Sequence, residues 1–280
     1  MRDAAVHTLL TLLPKNALSR AVGAAVRAPA PTMVTRAVVR GFCALYGVDV
    51  EEAERPWTEY ATFGDFFTRR LKPGLRRIAP GPEVPVSPAD GTLGACGAVD
   101  SGTCFFAKGK RYALTEFLGS AEDAADFSSG SYATVYLAPH NYHRVHAPLG
   151  GTITGYHHAP GQLWPVNRIG LAHVENLFAV NERLTTFLET PAGKCAVVMV
   201  GATCVGRIRA LYADVVTNTS ERQPMRVHLT KPVPIEKGAE LGIFEMGSTA
   251  VVLFDRKMVL APQCEEGAAV RVGEEMGALP

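Results

Sequence analysis

The hydrophobic pattern of this chain changes at Val84, and that change limits the folds open to it. Upstream, in residues 33–46, apolar residues recur at three- and four-residue steps, as on one face of a helix. Downstream, short β-rich segments such as residues 133–137 are separated by Gly and Pro turns. Residues 195–200 and 250–254 are continuous apolar runs, as in buried strands. The pattern predicts an α+β fold, with a β-rich core and amphipathic helices at the N-terminal end.

Two regions are expected along the chain. Residues 1–55 are predicted to be helical and to be interrupted at their prolines. These are Pro14, Pro29 and Pro31. Residues 56–280 form the predicted β-rich domain, which begins with a connector carrying a short aromatic helix at residues 63–69. Residues 218–232 are polar and are predicted to form a mobile loop.

Composition excludes several classes of protein. The chain has 280 residues, 47% hydrophobic and 20% charged, with a formal net charge of +1. This is an ordinary globular balance, and we expect no nucleic acid as a partner. The six cysteines are scattered without a Cys-x-x-Cys pair, which favours buried thiols in a reducing compartment over a disulfide framework. No run of about 20 apolar residues is present, so we expect no membrane-spanning helix.

The N-terminal segment is basic and apolar. Residues 2–47 carry six cations against one acid, Asp3, a composition that suits a membrane surface. The cations are Arg2, Lys15, Arg20, Arg27, Arg36 and Arg40. The side chains expected to insert are Leu9, Leu10, Leu12, Leu13, Val34, Val38, Phe42 and Leu45. Two other interpretations stay open: an amphipathic helix packed on the core, and a mitochondrial presequence of similar composition.

Residues 245–249 read Glu-Met-Gly-Ser-Thr, and Gly247–Ser248 is a bond at which a chain can cut itself. Glycine leaves its carbonyl unhindered and tolerates strained backbone angles. If a base activates the Ser248 hydroxyl, the amide can shift to an ester. Elimination then leaves dehydroalanine, whose hydrolysis gives an N-terminal pyruvoyl group. The tripeptide alone is a weak signal, so its interpretation depends on the residues that accompany it.

Two further segments supply an acid and imidazoles. Residues 87–91, Ser-Pro-Ala-Asp-Gly, carry Asp90 in a turn, where an aspartate commonly bonds only its own backbone. Residues 141–148, Asn-Tyr-His-Arg-Val-His-Ala-Pro, carry His143 and His146. A set of serine, histidine and acid is recognised by geometry and role rather than by chain order.

The histidines admit a second interpretation. With His140 upstream, His143 and His146 have a three-residue spacing that could suit a metal ion. No cysteine or acid accompanies them at a metal-like spacing, and Arg144 would repel a cation, so we expect no metal. His140 is expected at the surface, and the histidine pair at residues 157–158 is expected to be structural.

In chain order, residues 87–91, 141–148 and 245–249 resemble segments of the phosphatidylserine decarboxylase family. The resemblance extends along nearly the whole chain, through an aromatic segment, two central segments and a Val-Gly-Ala-Thr motif. These are residues 63–71, 160–167, 176–183 and 200–206. One departure is Met246, where family members often have Leu before Gly-Ser-Thr, and this change conserves volume.

The resemblance implies a site composed of Asp90, His143, His146 and Ser248. His146 is similar to the histidine that activates the serine, and Asp90 is similar to the acid that orients a histidine. His143 is similar to the histidine implicated in decarboxylation, near the substrate carboxylate or as a proton donor.

The resemblance also implies self-cleavage between Gly247 and Ser248, into chains 1–247 and 248–280 that stay together. Ser248 then becomes a covalent pyruvoyl cofactor, a carbonyl electron sink that replaces a bound cofactor. The implied reaction converts phosphatidylserine to phosphatidylethanolamine at a membrane surface. The implied location is peripheral, at the cytoplasmic face of the inner membrane, and homo-oligomerisation stays open.

Two other functions stay open on the residues alone. A serine hydrolase could use Ser248, His146 and Asp90, although the Gly-x-Ser-x-Gly elbow that would favour it is absent at Ser248. In a non-enzymatic β-rich carrier or membrane-docking module, residues 200–206 would be an ordinary turn between strands.

Overall fold

The computed structural model describes residues 14–107, 110–203, 206–219, 221, 223–245 and 249–280. The apolar segment at residues 9–13 and the Gly247–Ser248 bond therefore lie outside the described residues. Within them, helices gather at the N-terminal end and strands dominate the rest, which confirms the predicted α+β class.

Two helices open the described chain, α1 (Lys15–Arg27) and α2 (Thr32–Tyr46). Prolines bound them as the sequence predicts, since Pro14 precedes α1 and Pro31 precedes α2. Gly47 ends α2 in the left-handed conformation, with φ of 67°, which glycine adopts without steric cost. No described helix is long and apolar enough to cross a membrane.

The described residues cover one face of α2. Val39 is fully buried in a cluster with Phe66 of the short helix α3 (Phe63–Phe67). Phe42, which we expected to insert into a membrane, instead packs edge-on against Phe63, with ring centroids 5.0 Å apart. The uncovered face leaves large apolar side chains exposed. These are Met33, Val34, Val38 and Leu45.

The remaining described elements follow in chain order after a 3-10 turn at Trp57–Glu59. The helices are α4 (Leu114–Leu118), α5 (Ala121–Asp126), α6 (Arg168–His173) and α7 (Leu177–Val180). The first strands are β1 (Gly91–Ala98), β2 (Thr103–Ala107), β3 (Lys110–Ala113), β4 (Ser131–Tyr136), β5 (Arg144–His146), β6 (Gly151–Ala159), β7 (Arg183–Thr190) and β8 (Gly193–Val200). The later ones are β9 (Ile208–Ala210), β10 (Met225–Ile235), β11 (Glu240–Phe244), β12 (Thr249–Phe254), β13 (Val259–Leu260), β14 (Ala269–Val270) and β15 (Gly277–Ala278).

The largest sheet of the described residues has eight antiparallel strands, in the order β10-β6-β7-β8-β12-β4-β1-β14. In β12, Val252 pairs with Ala133 of β4 and with Val197 of β8. Val252 enters the hydrophobic core on one face of the sheet, and Val251 enters the core on the other. Because both faces are covered, β12 is apolar at successive positions, as the continuous run in the sequence indicates.

A second sheet of three antiparallel strands has the order β5-β11-β9. Along β5 and β11, Glu240 lies opposite His146 and Ile243 lies opposite Arg144. On its other side, β11 pairs Ile243 with Arg209 of β9. This sheet therefore joins the histidine segment to the strand that leads toward residue 245.

β10 is the outer strand of the large sheet and pairs with β6, with Val227 opposite Tyr156. The predicted mobile loop at residues 218–232 is therefore wrong where it overlaps β10. Most β10 side chains are exposed or half-buried, as is common for an edge strand that must not recruit another chain. That polar composition resembles a loop in sequence.

The division of the chain at residue 55 stays a prediction. α1 contacts the β-rich part directly, because the side-chain amide of Asn16 donates to the carbonyl of Gly161 at 2.8 Å. The Lys15 ammonium also lies 3.8 Å from the centroid of the Trp164 ring. The N-terminal helix is thus packed on the β-rich region along part of its length.

Candidate active site

Hydrogen bonds between strands bring the sequence-predicted segments together. The backbone N–H of His146 donates to the carbonyl of Pro88 at 2.8 Å, so β5 lies beside the turn that carries Asp90. The N–H of Phe244 donates to the carbonyl of His143 at 2.9 Å. β11, which ends at Phe244, therefore lies along the histidine segment.

Ser248 lies outside the described residues, but the residues on either side of its segment are described. Glu245 is buried just after β11. Thr249 begins β12, between Tyr136 of β4 and Val200 of β8. The Thr249 hydroxyl is buried and has no hydrogen-bond partner among the described residues. The residue that follows Ser248 is thus fixed inside the large sheet.

One ring nitrogen of His146 is held by the backbone, since Nδ1 lies 2.7 Å from the carbonyl oxygen of Gly238. A carbonyl only accepts, so Nδ1–H donates and the neutral ring keeps its lone pair on Nε2. Nε2 lies 3.3 Å from the hydroxyl of Tyr142. Burial lowers the pKa of His146, although the Gly238 bond and the negative charges of Glu240 and Asp90 act the other way. A neutral ring with an unprotonated Nε2 can act as a base.

The Asp90 carboxylate contacts an arginine and the backbone rather than a histidine ring. Arg76 Nε donates to Oδ1 at 3.0 Å, and the backbone N–H of Val272 donates to the same oxygen at 2.9 Å. Arg76 also binds Glu52, with Nη2 donating to Oε2 at 2.7 Å. Asp90 therefore acts on His146 through its charge, and its role in orienting a histidine stays a prediction.

His143 is buried, with 1% of its surface exposed, and its ring lies 4.0 Å from that of Phe67 between centroids. Neither ring nitrogen makes a well-formed hydrogen bond among the described residues, although the backbone of Asn141 lies close enough to act on the pKa of the ring in the raising direction. Burial lowers the pKa of His143 to about 3, and the positive charge of Arg69 adds to the effect. The ring is therefore neutral near pH 7, and its nitrogens are available to a ligand.

The other histidines considered in the sequence analysis differ in their surroundings. His140 is exposed, as expected. The rings at residues 157–158 are buried, with His157 Nδ1 2.6 Å from the Leu118 carbonyl oxygen and His158 Nε2 2.9 Å from Glu182 Oε1. Within the described parts of the chain, no three His, Cys, Asp or Glu side chains are grouped as metal ligands.

Four residues of this site were not singled out from the sequence: Phe67, Arg76, Tyr142 and Gly238. Two of them lie in segments that carried the family resemblance, since Phe67 belongs to the aromatic segment and Tyr142 precedes His143. Their positions in those motifs could have identified Phe67 and Tyr142 as candidate site residues. Arg76 and Gly238 lie in ordinary connecting segments, where no motif in the sequence indicates a role in the site.

Comparison with known proteins adds to this geometry. Residues 63–278 match the family model for phosphatidylserine decarboxylase. The chain is 50% identical over 281 residues to the phosphatidylserine decarboxylase proenzyme of Myxococcus xanthus, with 100% of both chains covered. It is 51% identical over 280 residues to that of Anaeromyxobacter sp., covering 99% of each chain. The proenzyme of Brevibacillus brevis is 39% identical over 271 residues, 96% of this chain and 95% of that one.

The chain is therefore an enzyme of the carboxy-lyase class. It belongs to the phosphatidylserine decarboxylase family. The resemblance seen in the sequence is confirmed. Membership contradicts the alternatives of a serine hydrolase and of a non-enzymatic carrier, and it supports decarboxylation of phosphatidylserine.

Proposed function

We propose that the chain cuts itself between Gly247 and Ser248 and then decarboxylates phosphatidylserine through a pyruvoyl group formed from Ser248. The observation that carries this proposal is the pairing of β5 with β11. It places His143 and His146 along the strand that leads to this bond. The relatives from Myxococcus and Anaeromyxobacter are named proenzymes, and a proenzyme requires a processing step.

In the cleavage step, His146 Nε2 takes the proton of the Ser248 hydroxyl as the oxygen attacks the Gly247 carbonyl carbon. The C–N bond breaks, the nitrogen receives that proton, and an ester joins the two residues. Elimination removes the Cα proton of residue 248 and breaks its Cβ–O bond, which releases Gly247 as a carboxylate and leaves dehydroalanine. Water then replaces the nitrogen, which departs as ammonia. His146 suits the first role because its ring is neutral and its proton is held on Nδ1 by Gly238.

The described groups around the bond fit a pyruvoyl group. The Thr249 hydroxyl has no hydrogen-bond partner among the described residues, and the buried ring nitrogens of His143 make no well-formed bond there. Buried polar groups of this kind need a partner, and a carbonyl and a carboxylate would provide one. When formed, the pyruvoyl group supplies the electron sink for the carbanion that loss of CO2 leaves.

We assign to His143 the holding of the substrate carboxylate rather than the donation of a proton. A pKa near 3 leaves the ring neutral at pH 7, so it has no acidic proton to give. Its N–H can still donate a hydrogen bond. Phe67, stacked on the ring, keeps water from that side.

The position of β12 supports the expectation that chains 1–247 and 248–280 stay together. β12 is hydrogen-bonded to β4 on one side and to β8 on the other over Thr249–Phe254. All six of its residues are buried. Cleavage before this strand would leave these contacts in place.

The substrate of the family is a lipid, so the site must reach a bilayer surface. Extracting a two-chain lipid into water would expose many CH2 groups at about 0.8 kcal/mol each. The exposed face of α2 presents Val34, Val38 and Leu45, and Arg40 is exposed beside them. We assign peripheral docking to this face, on the cytoplasmic side of the inner membrane. The described cysteines are all free thiols, which suits a reducing compartment.

Intact mass spectrometry of the purified chain tests the processing proposal. We expect two pieces, residues 1–247 and 248–280, and a small piece that resists Edman degradation because its N-terminus is a pyruvoyl group. Ser248→Ala should remain one chain. Edman sequencing that reads Ser-Thr-Ala from the small piece would exclude the pyruvoyl group.

A further inference from the structure

Glu245 lies among more positive charge than one carboxylate can balance. Arg27 Nη1 donates to its Oε2 at 3.0 Å, and Arg207 Nε lies 2.8 Å from the same oxygen. Arg209 Nη2 lies 3.1 Å from Oε1. We call these four residues the Glu245 cluster. Three guanidinium groups and one carboxylate leave two positive charges in excess, and no other acid pairs with these arginines among the described ion pairs.

The arginines of the Glu245 cluster are accessible, while their carboxylate is not. The Glu245 side chain is 8% exposed, whereas those of Arg27, Arg207 and Arg209 are 39%, 33% and 49% exposed. A structural ion pair balances its charges, but this cluster presents uncompensated guanidinium groups toward solvent. Such groups attract an anion, and the planar fork of arginine matches the oxygens of a phosphate.

Three elements build the Glu245 cluster. The N–H of Glu245 donates to the carbonyl of Arg207 at 2.9 Å, which extends the β9–β11 ladder. Arg207 and Arg209 are two residues apart with buried Ile208 between them, so both side chains lie on the same face. Arg27 comes from the last turn of α1. The arrangement is therefore fixed by the fold rather than by one flexible surface pair.

The Glu245 cluster also lies next to the proposed reaction centre. Glu245 precedes Ser248 by three residues, and three residues of any chain span at most about 11 Å. In the substrate, the phosphate is a few bonds from the carbon that loses CO2. The reaction leaves this phosphate unchanged. Side chains beside the reacting atoms can therefore bind it throughout the reaction.

We infer that Arg27, Arg207 and Arg209 bind the phosphodiester of the phospholipid headgroup, and that Glu245 holds the three guanidinium groups in position. The inference rests on the proposed function for its substrate. It makes these arginines positioning residues for the headgroup, and it assigns to Glu245 a restraining effect on anion affinity, because its charge opposes that of the phosphate.

Binding of inorganic phosphate, measured by titration calorimetry on the full Ser248→Ala chain, tests the site without needing processing or activity. Arg209→Gln should weaken phosphate binding about tenfold, the effect of about 1.4 kcal/mol. Glu245→Gln should strengthen it several-fold, because the amide oxygen still accepts a hydrogen bond from the arginines while the charge that opposes phosphate is gone. Lys194→Gln is the matched control: it removes an exposed, paired cation at the far end of β8 from Val200, and should change affinity less than twofold.

Opposite effects of the Arg209 and Glu245 variants would support the inference. Equal weakening by both, or no effect of either, would overturn it and leave the Glu245 cluster as a structural ion-pair network. Arg209→Lys, which keeps the charge without the fork, provides a milder variant if Arg209→Gln does not fold, and it should bind phosphate with intermediate affinity.

Kinetics of the processed chains separate headgroup binding from membrane binding. With dispersed short-chain phosphatidylserine, Arg27→Gln and Arg209→Gln should raise KM about tenfold and leave kcat nearly unchanged, with rates normalised to the processed fraction. A KM that rises only with vesicles would assign the arginines to membrane attraction instead. If phosphate binds as described but the wild-type chain is not processed, the proposed function fails and the anion site stands.

Discussion

His146 donates its Nδ1 proton to the carbonyl of Gly238 at 2.7 Å, and this bond decides which ring nitrogen can act as a base. Gly238 has φ of 81°, and a Cβ at this position would lie 2.5 Å from the Ile78 side chain. The turn before β11 therefore needs glycine in order to present its carbonyl to the histidine.

Gly238→Ala should slow self-cleavage about tenfold or more. Moving the carbonyl breaks its hydrogen bond to Nδ1 of His146, so the ring can carry its proton on Nε2 instead. The rate is measured by gel densitometry of freshly refolded chain. Gly74→Ala is a matched control, since Gly74 also has φ of 81° but nothing lies within 4 Å of the added Cβ. It should lose about 1 kcal/mol of stability and cleave normally. Equal cleavage rates in the two variants would remove Gly238 from the mechanism.

The two histidines of the site should have separable roles. His146→Ala should remain uncleaved, because the base that takes the Ser248 proton is gone. His143→Ala should still cleave at least in part, but decarboxylate about 10–10²-fold more slowly, the effect of losing one hydrogen bond to the substrate carboxylate. Intact mass gives the first result and release of CO2 gives the second. Accumulation of only uncleaved His143→Ala chain would contradict this division.

His143 should also make stability depend on pH. Its pKa is about 3 in the folded chain against an ordinary value of 6.5, so the unfolded chain binds one proton more between these values. Stability therefore falls as pH decreases through that window, by at most about 1.4 kcal/mol per pH unit. Urea unfolding of the Ser248→Ala chain from pH 7 to pH 4, with and without His143→Asn, should show a shallower decline in the variant. Parallel curves would mean that the pKa of His143 is the same in the folded and the unfolded chain.

The exposed face of α2 should carry membrane docking. Val34→Glu combined with Leu45→Glu places two negative charges on that face, and should reduce flotation with anionic liposomes. The control is Val259→Glu, the same kind of change at a residue that is 67% exposed in β13. Removing residues 1–47 should weaken flotation further. Raising salt should weaken the part due to arginines and leave the apolar part.

The sequence was sufficient for the central strands and for the N-terminal helices. β8 and β12 are buried on both faces, so a continuous hydrophobic run marks each of them directly. Pro14 and Pro31 fix where α1 and α2 begin. β10 was missed because an edge strand satisfies one face with solvent and carries polar residues.

The sequence indicates the candidate residues of the site but not their contacts. Asp90, His143 and His146 lie in segments with distinctive composition. The partner of His146 is a backbone carbonyl, which every residue has, so no side chain in the sequence indicates this hydrogen bond. Arg76 lies in a basic connecting segment, and only the fold shows that it joins Asp90.

The place of β12 between β4 and β8 bears on whether folding or the proposed cleavage comes first. In the uncut chain the strand forms within one molecule, and the entropy of closing the connecting loop grows only slowly with length. A separate piece beginning before Thr249 would have to be captured from solution, at a cost that depends on concentration. If the chain cuts itself as proposed, folding must therefore come before the cut. A cut molecule that unfolds would have lost the connection that guided its assembly, so the durability of the processed chains would be set by how slowly they unfold rather than by an equilibrium.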